Sequence, residues 1–363
     1  MHILLVTDAW YPQVNGVVRT LDTVTRHLRG RGHTVTLLTP EGRRTVPMPT
    51  YPEIRLALVR PRTIAKLIDA ARPDCIHIAT EGPLGWLARH HCLKAGLAFT
   101  TSFHSRFPEM IASRLPLPGV ERLAHGVLKR FHAPACTTLV PTPTVARRLK
   151  AEGFGRIAVW GRGVDTAQFR PLQSDEFAGL KRPIMLNAGR VAIEKNLEAF
   201  LSLDLPGTRV VVGDGPQLAE LRSRYPGVVF TGYLGGDDLA RALSAADVFV
   251  FPSKTDTFGL VMLEALACGV PVAAFPVEGP VDVITSSRVG CLDEDLATAI
   301  RTALSCRRKD CMAFARRHSW PRVAQTFADA LTPARPAAHR PIGKNRLKDL
   351  VAEKALDPPA RGS

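Results

Sequence analysis

The amino-acid sequence predicts an α/β protein with two consecutive units, each built on a parallel β-sheet. Short apolar runs rich in β-forming residues alternate with longer segments of helical periodicity, and the same alternation starts again after Pro171. The 363 residues suit two domains of about 150 residues each. Because 45% of the residues are hydrophobic and 22% are charged, both units can bury a core, and disorder across most of the chain is excluded.

The first unit is predicted to span residues 1–170. Its predicted strands are residues 2–7, 33–39, 54–59, 75–79, 98–103, 138–141 and 157–160. After the first strand, residues 17–29 place four apolar side chains on one helical face, namely Val18, Leu21, Val24 and Leu28. This alternation of strand and helix indicates a Rossmann-like domain.

The second unit is predicted to span residues 171–332 and is joined to the first near residues 169–183. Its predicted strands are residues 184–187, 209–212, 228–231, 248–251 and 272–275. A last helix, residues 316–331, is expected to close the fold, with Ser319 as its N-cap and Pro321 in its first turn. Residues 333–363 read as a basic tail rich in Pro and Ala, with at most one short helix at 345–355.

Cysteine usage and hydropathy favour a cytoplasmic protein. None of the seven cysteines belongs to a CxxC pair or lies near a histidine at zinc-finger spacing, so we expect neither a disulfide framework nor a metal site. Residues 1–8 carry too short an apolar run for a signal peptide and predict the first strand instead. No stretch approaches the roughly 18 apolar residues of a transmembrane helix, so any membrane contact is expected to be peripheral.

The positive charge of the chain is unevenly distributed. The formal net charge is +15 with a pI near 10.0, which indicates an anionic partner. Residues 1–170 carry +13, residues 171–332 carry −2 and residues 333–363 carry +4. A nucleic-acid partner is not expected, because the chain has no RNP, zinc-finger or helix-turn-helix signature and no aromatic-rich basic stripe. Most of the excess positive charge thus lies in the first unit, residues 1–170.

Two glycine loops directly follow predicted strands. In the first, Asn15-Gly16 opens a helix whose backbone amides point toward the carboxyl edge of the sheet, where such folds bind ligands. A simple turn and helix start explains this loop equally well. The second, Gly213-Asp214-Gly215-Pro216, is a weak signal by itself.

A sharper pattern runs from Ser253 to Val272. The strand 248–251 enters a polar loop and then a helix over about 259–267, so Asp256 lies at the mouth of the helix and Glu264 lies about two turns inside it. One ligand could contact both carboxylates. The free amides of the first turn could face a diphosphate, and the residues concerned are Thr257, Phe258, Gly259 and Leu260. The simpler alternative is a helix-capping Asp256 and a surface Glu264.

Cations suited to that diphosphate follow the first strand of the second unit. Arg190 can hold phosphate oxygens in a fork, and Lys195 adds a point charge. Surface cations are usually just solvated. Because Arg190 and Lys195 follow the carboxyl end of a strand, a phosphate-binding role is favoured over that of solvated surface cations.

These motifs together resemble a known family. They comprise Gly189-Arg190, Glu194-Lys195-Asn196, Gly213-Asp214-Gly215-Pro216, Phe230-Thr231-Gly232-Tyr233 and Asp256 to Glu264 with Phe258-Gly259. In this order they resemble the retaining, nucleotide-sugar-dependent glycosyltransferases of family 4, over about residues 1–330. Their GT-B fold has two Rossmann-like domains facing across a cleft. Many members have Glu where this chain has Asp256. Residues 77–85 and 99–108 resemble the branch with glycosyl- and sulfoquinovosyl-diacylglycerol synthases and related mannosyltransferases.

The resemblance implies a role for each matching residue. Arg190 and Lys195 would neutralise the donor diphosphate, so no metal and no other cofactor would be required. Glu264 would accept ribose hydroxyls, Asp256 would hold sugar hydroxyls, and the amides around 257–260 with Gly16 would approach phosphate and sugar. His104 would lie near the transferred sugar, although a lone histidine is more often structural. On the acceptor side we expect Asn15, Glu81 and Arg106.

The resemblance also implies a reaction. A hexosyl group would move from UDP-glucose, UDP-glucuronate or UDP-galactose to a lipid such as diacylglycerol with retention at the anomeric carbon, after closure of the cleft about residues 165–183. Residues 119–132 form a basic amphipathic helix that could lie on an anionic membrane, at the inner face of the cytoplasmic membrane. A core-facing helix with a solvated basic side is the alternative. A GDP-mannose-dependent mannosyltransferase, a soluble glucosyltransferase and a sugar-nucleotide epimerase also remain open.

Overall fold

The computed structural model describes residues 1–13, 15–48, 51–104 and 119–335, and these form two six-stranded parallel sheets with helices on both faces. The strands of the first sheet are β1 His2–Val6, β2 Thr34–Leu38, β5 Cys75–Ile78, β6 Thr100–Ser102, β7 Thr138–Val140 and β8 Ile157–Val159. They lie side by side in the order β2-β1-β5-β6-β7-β8. The helices of this part are α1 Gly16–Gly30, α2 Pro61–Ala71, α3 Pro83–Lys94, α4 Val120–His132 and α5 Pro143–Ala151.

One predicted strand of the first unit lies outside the parallel sheet. The expectation that residues 54–59 join that sheet is wrong, because β3 Thr45–Met48 and β4 Tyr51–Ala57 pair with each other as a separate antiparallel ribbon. Their short connection forces this arrangement, since a parallel neighbour requires a crossover of a dozen or more residues. With the ribbon outside the parallel sheet, β1 pairs directly with β5.

The second sheet follows the predicted series closely. Its strands are β9 Ile184–Ala188, β10 Thr208–Val212, β11 Val229–Gly232, β12 Val248–Phe251, β13 Val272–Ala274 and β14 Gly290–Leu292, the last of which was not predicted. They lie side by side in the order β11-β10-β9-β12-β13-β14. A 3-10 turn spans Ile193–Lys195. The helices are α6 Glu198–Leu201, α7 Leu218–Arg224, α8 Gly236–Ala245, α9 Leu260–Ala267, α10 Pro280–Val283, α11 Leu296–Ala303, α12 Arg308–Ala315 and α13 Trp320–Ala330.

The last helix returns to the first sheet. Ser319 precedes α13 in extended conformation and Pro321 lies in its first turn, as predicted, but the Ser319 side chain makes no capping hydrogen bond. The helix begins at Trp320 rather than at residue 316. Its buried face packs with Ile3, Leu5 and Leu21 in one core, although the sequence interpretation placed it within the span of the second unit. The other face of β1 contributes Leu4 and Val6 to a separate core.

Among the described residues, no helix is both long and apolar enough to cross a membrane.

Acidification is expected to destabilise the first sheet through His77. Its ring nitrogens lie 2.9 Å from Thr100 Oγ1 and 2.9 Å from Ser102 Oγ, and burial lowers the pKa of His77 to about 3. The unfolded chain takes up a proton near pH 6.5, whereas the folded chain takes it up only near pH 3, so this contribution to stability is present above pH 6.5 and is lost as the pH falls through that window. The loss can reach about 1.4 kcal/mol per pH unit.

A His77→Gln variant tests this effect by urea denaturation at about pH 7.5 and about pH 5.5. We expect the free energy of unfolding of the variant to depend less on pH than that of the wild type. His90→Gln, at an exposed position of α3, serves as the matched control and should follow the wild type. Identical pH dependence of wild type and His77→Gln would contradict the prediction.

Candidate active site

The carboxyl ends of the two sheets face each other. In each sheet the strand order reverses beside the first strand, between β1 and β5 and between β9 and β12, and ligands of such sheets bind beyond this switch point. Thr257 follows β12 and donates its hydroxyl to the backbone carbonyl of His104, which follows β6, at 2.7 Å. Arg19 on α1 contacts Glu264 on α9, with 2.5 Å between Nη2 and Oε1. The two switch points therefore form one interdomain site.

Gly16 lies where the sequence places it, at the start of α1 and opposite the second unit. Asn15 caps this helix, because its Oδ1 accepts hydrogen bonds from the amides of Val17 and Val18 at 3.0 Å each. A Cβ at Gly16 would lie 3.7 Å from Leu260 Cδ1, across the cleft. Asn15 thus caps the helix, as expected if the loop only starts α1, and the loop of Asn15 and Gly16 also borders the interdomain site.

Lys195 and Asp256 form an ion pair at the second switch point. The ammonium lies 2.7 Å and 2.8 Å from the two oxygens of Asp256, and both side chains are about a quarter exposed. Beside them Arg190 Nη1 lies 3.6 Å from Glu194 Oε1. The predicted phosphate-binding cations and the predicted sugar-binding carboxylate are therefore brought together, with each cation facing an acid.

Glycines shape the loop that carries Asp256. Gly259 has φ +81°, and a Cβ there would lie 2.7 Å from Phe251 Cζ, so only glycine fits before α9. Gly279 has φ +95°, and a Cβ there would lie 2.5 Å from the backbone carbonyl oxygen of Asp256. These close approaches pack the start of α9 against Phe251 of β12 and pack the loop of Asp256 against the chain at Gly279.

Glu264 is a buried acid rather than a surface one. It is 4% exposed, and burial raises its pKa while the nearby Arg19 guanidinium opposes that rise. Its Oε1 accepts from Arg19, whereas its Oε2 has no hydrogen-bond partner among the described residues. The alternative of a solvated surface carboxylate is therefore wrong, and one oxygen of Glu264 remains able to accept a ligand hydroxyl.

His104 is buried where the two units meet, and its ring is neutral. Burial lowers its pKa well below the ordinary value, and the neighbouring Arg162 adds to this lowering. Arg162 Nη2 lies 3.1 Å from Nδ1 of His104, and since a guanidinium can only donate, Nδ1 is the acceptor and Nε2 carries the proton. Among the described residues, nothing accepts from Nε2.

The acceptor-side residues are only partly described. Glu81 follows β5, and its Oε1 lies 3.2 Å from Nε2 of the buried His132 on α4. Arg106 lies outside the described residues. The structure therefore shows Asn15 and Glu81 near the first switch point and is silent on the third predicted residue.

Three residues of this region escaped the sequence analysis. Arg19 lies one helical turn after Gly16, and that spacing was the available signal. Arg162 follows β8, at the same carboxyl edge as the glycine loop. Asp8 follows β1 and accepts from the amides of Leu84 and Gly85 at 2.9 and 3.2 Å, while burial raises its pKa to about 6.

Comparison with known proteins agrees with this architecture. A family model described as Glycosyltransferase Family 4 matches residues 14–168, and one described as Glycosyl transferases group 1 matches residues 182–306. A GDP-mannose-dependent alpha-mannosyltransferase of Mycobacterium tuberculosis (strain CDC 1551 / Oshkosh) is 31% identical over 357 residues, covering 89% of this chain and 94% of that protein. An alpha-monoglucosyldiacylglycerol synthase of Streptococcus pneumoniae (strain ATCC BAA-255 / R6) is 27% identical, covering 84% of this chain and 78% of that protein.

A solved structure shares the arrangement of both units. HepE of Anabaena, crystallised with UDP-glucose, superposes with a TM-score of 0.65 at 17% identity, covering 91% of this chain and 98% of that protein. Two Rossmann-like units that face each other across a ligand cleft define the GT-B class of glycosyltransferases. The chain belongs to glycosyltransferase family 4 and is an enzyme that transfers a sugar from a nucleotide sugar.

Proposed function

We propose that the protein transfers a hexosyl group from a UDP-sugar to a membrane lipid such as diacylglycerol, forming an α-linked glycolipid with retention of configuration. UDP-glucose, UDP-glucuronate and UDP-galactose are the proposed donors. The observation that carries the lipid acceptor is the exposed face of α4. The similarity to a glucosyldiacylglycerol synthase and to a structure solved with UDP-glucose supports the same proposal.

The exposed face of α4 combines apolar and cationic side chains. Leu123 is 72% exposed and Val127 is 45% exposed, whereas Leu128 and Phe131, which lie further round the helix, are buried. A shallow groove runs along the exposed face, lined by Gly119, Arg122, Leu123, Gly126, Val127 and Arg130. The helix packs on the cores of the first unit through Leu128 and Phe131, and Leu123 and Val127 take no part in that packing. Apolar side chains among exposed arginines are typical of a helix that lies in the interface of an anionic membrane.

The donor site is proposed to act through charge. Lys195 and Arg190 would turn from their acidic partners to the diphosphate and stabilise the charge that develops on the leaving group. We propose that this makes a metal unnecessary. Asp256, released from Lys195, would accept sugar hydroxyls, and Oε2 of Glu264 would accept from the ribose.

The proposed chemical step keeps the anomeric configuration by attack on the same face. The bond between the anomeric carbon and the phosphate oxygen breaks, and the bond to the acceptor oxygen forms on the side that the diphosphate leaves. The acceptor hydroxyl proton passes to an oxygen of the departing diphosphate. The positive charges of Lys195 and Arg190 would lower the energy of this ion-pair-like state.

A GDP-mannose-dependent α-mannosyltransferase is the second candidate, favoured by the similarity to the mycobacterial enzyme. A soluble glucosyltransferase that acts in cell-envelope glycan synthesis would use the same donor site. Incubation of the enzyme with UDP-glucose, UDP-glucuronate, UDP-galactose or GDP-mannose, each with diacylglycerol vesicles or a soluble glycoside, separates these functions. Formation of an α-glycolipid from a UDP-sugar supports the proposal, and transfer only to soluble glycosides contradicts it. Isomerisation of the donor sugar without an acceptor indicates an epimerase.

The membrane contact is expected to depend on Leu123 and Val127. We propose that the protein is cytoplasmic and binds the inner face of the cytoplasmic membrane through α4. The double variant Leu123→Ser/Val127→Ser should bind vesicles of anionic phospholipid about tenfold more weakly, because two side chains lose apolar burial in the interface. Co-sedimentation with anionic and with zwitterionic vesicles measures the effect.

The matched control replaces an exposed leucine elsewhere. Leu58 is 60% exposed and lies after β4, so Leu58→Ser should bind as the wild type does. Arg122→Gln/Arg130→Gln should also weaken binding, and raised salt should remove most of the remaining difference because the attraction is electrostatic. A wild type that does not sediment with anionic vesicles at moderate salt would rule out α4 as the membrane contact.

A further inference from the structure

Two carboxylates of the second unit are held by a helix of the first. Glu278 and Asp282 lie on either side of Gly279 in the segment that follows β13, and α5 lies opposite them. Arg148 on α5 donates to both oxygens of Glu278, with Nε 2.9 Å from Oε2 and Nη2 3.3 Å from Oε1. Only 9% of the Glu278 side chain is exposed, so water compensates little of its charge and the guanidinium compensates most of it.

The second carboxylate lies at the N-terminus of α5. Asp282 accepts from the backbone amide of Thr144, which lies 3.3 Å from each of its oxygens, and from the Thr144 hydroxyl at 3.0 Å. The first amides of a helix lack partners within the helix and favour an anion. Thr142, the N-cap, satisfies the amide of Val145 at 3.2 Å, and Asp282 satisfies that of Thr144 from the other unit.

Contacts within the first unit fix the orientation of Arg148. Its Nη1 donates to Glu152, one helical turn further along the chain, at 3.1 Å, and its guanidinium lies 5.6 Å from the centre of the Phe103 ring. Phe103 directly precedes His104, whose backbone carbonyl accepts from the Thr257 hydroxyl. The first unit therefore contacts the second on two sides of the loop that carries the proposed sugar-binding carboxylate.

Gly279 connects the segment held by α5 to that loop. A Cβ at Gly279 would lie 2.5 Å from the backbone carbonyl oxygen of Asp256 and 3.3 Å from the amide nitrogen of Phe258, so the two stretches of backbone pack together with no room for a side chain. Glu278 directly precedes Gly279 in the chain. A displacement of Glu278 away from Arg148 would therefore reach the backbone of Asp256.

We propose that Arg148 is a positioning residue for sugar transfer. Through Glu278 it fixes the loop of Asp256, so the sugar site in the second unit is complete only when the first unit is in contact with it. Thr144 acts in the same way through Asp282. The inference rests on the proposed role of Asp256 in sugar binding, and it adds the residues of the first unit on which that role depends.

Kinetics separate positioning from nucleotide binding. Arg148→Met should lower kcat about tenfold, as loss of one charged hydrogen-bonded contact allows, and leave the affinity for free UDP within about twofold of that of the wild type. Arg148→Lys should keep part of the activity. Glu278→Gln should match Arg148→Met, and the double variant should lose no more than either, because both changes remove one contact. The assay uses whichever donor and acceptor of the screen above the wild type turns over, with GDP in place of UDP for GDP-mannose.

Hydrogen exchange, followed by mass spectrometry, tests the positioning without donor or acceptor. In Arg148→Met and in Glu278→Gln, peptides that contain residues 253–259 should exchange faster than in the wild type, because the loop of Asp256 loses the support of its neighbour. Peptides from α12, on the far side of the second unit from α5, should exchange as in the wild type. A structural role confined to α5 would leave residues 253–259 unchanged.

Lys150→Met is the matched control. Lys150 is exposed on the same helix, and within the described residues it makes no hydrogen bond or ion pair to the second unit. Its variant should keep the kcat and the exchange rates of the wild type. Thermal unfolding with and without UDP reports whether each variant is folded.

Unchanged exchange of residues 253–259 in folded Glu278→Gln would overturn the inference, whether or not Arg148→Met folds. Unchanged kcat in either folded variant would also overturn it, and so would a loss of UDP affinity as large as the loss of kcat, because the arginine would then support the nucleotide site. The proposed function fails separately, when no lipid acceptor receives a sugar from a UDP-sugar. In that case the exchange experiment decides the inference on its own.

Discussion

Replacing Lys195 by alanine is expected to reduce sugar transfer by about a hundredfold or more, mainly through kcat. The ammonium would stabilise charge that grows on the leaving diphosphate, and removal of one such group typically costs about 100-fold to 1,000-fold in kcat. In the absence of the ammonium, Asp256 also loses the partner that holds both of its oxygens. Steady-state kinetics with a saturating acceptor measures the effect.

The fold should survive this change, because Lys195 and Asp256 are both partly exposed. Partly exposed ion pairs contribute about 1 kcal/mol or less to stability. Lys181→Ala is the matched control, since Lys181 is exposed at the opposite edge of the same sheet. Undiminished transfer by a folded Lys195→Ala enzyme would refute the assignment of this lysine to the diphosphate.

Replacing Glu264 by glutamine is expected to raise the KM for the donor about tenfold to a hundredfold. The variant keeps the shape of the side chain but loses the charge with which Oε2 would accept a ribose hydroxyl, and a hydrogen bond to a charged group is worth about 1.5–3 kcal/mol. Glu264→Ala should be more severe because it also opens a cavity in a buried helix. Isothermal titration with the free nucleoside diphosphate separates donor affinity from turnover.

Arg19 allows the same assignment to be tested from the other unit. The Arg19 side chain is 40% exposed, so Arg19→Ala leaves no unpaired buried charge in the first unit. The variant does remove the hydrogen-bond partner of Glu264 Oε1. We expect a smaller rise in the KM for the donor than with Glu264→Gln, and a non-additive double variant, because both changes act on one contact. Glu220→Gln is the matched control, because Glu220 pairs with Arg224 on the exposed helix α7. A normal donor KM in Glu264→Gln would exclude the ribose role.

Much of the fold follows from local sequence. The predicted strand 248–251 coincides with β12, and most other strands differ by one or two residues at their ends. The prediction that residues 54–59 join the parallel sheet was wrong for a physical reason. Its apolar pattern is that of any half-buried strand, and only its pairing with β3 decides that it leaves the parallel sheet. The pattern of a single strand carries no information on its neighbour.

The site was predictable within each loop but not across the cleft. Asp256, Lys195 and Arg190 follow strands of one sheet, and the rule that parallel strands gather their carboxyl ends brought them together. The pairing of Arg19 with Glu264 joins residues 245 positions apart and depends on how the two units face each other. Arg162 and His104 are likewise 58 positions apart, and no periodicity links them.

The return of α13 to the first sheet affects the order in which the protein can be completed during synthesis. Domains usually fold as the chain emerges from the ribosome, the N-terminal one first. Here the core around Ile3 and Leu5 needs Trp320 and Phe327, whereas the two cores of the second sheet use residues no later than Ala315. The first unit is therefore synthesised first but completes its core last. Its apolar surface around β1 is covered only when α13 has been synthesised, after the whole of the second sheet.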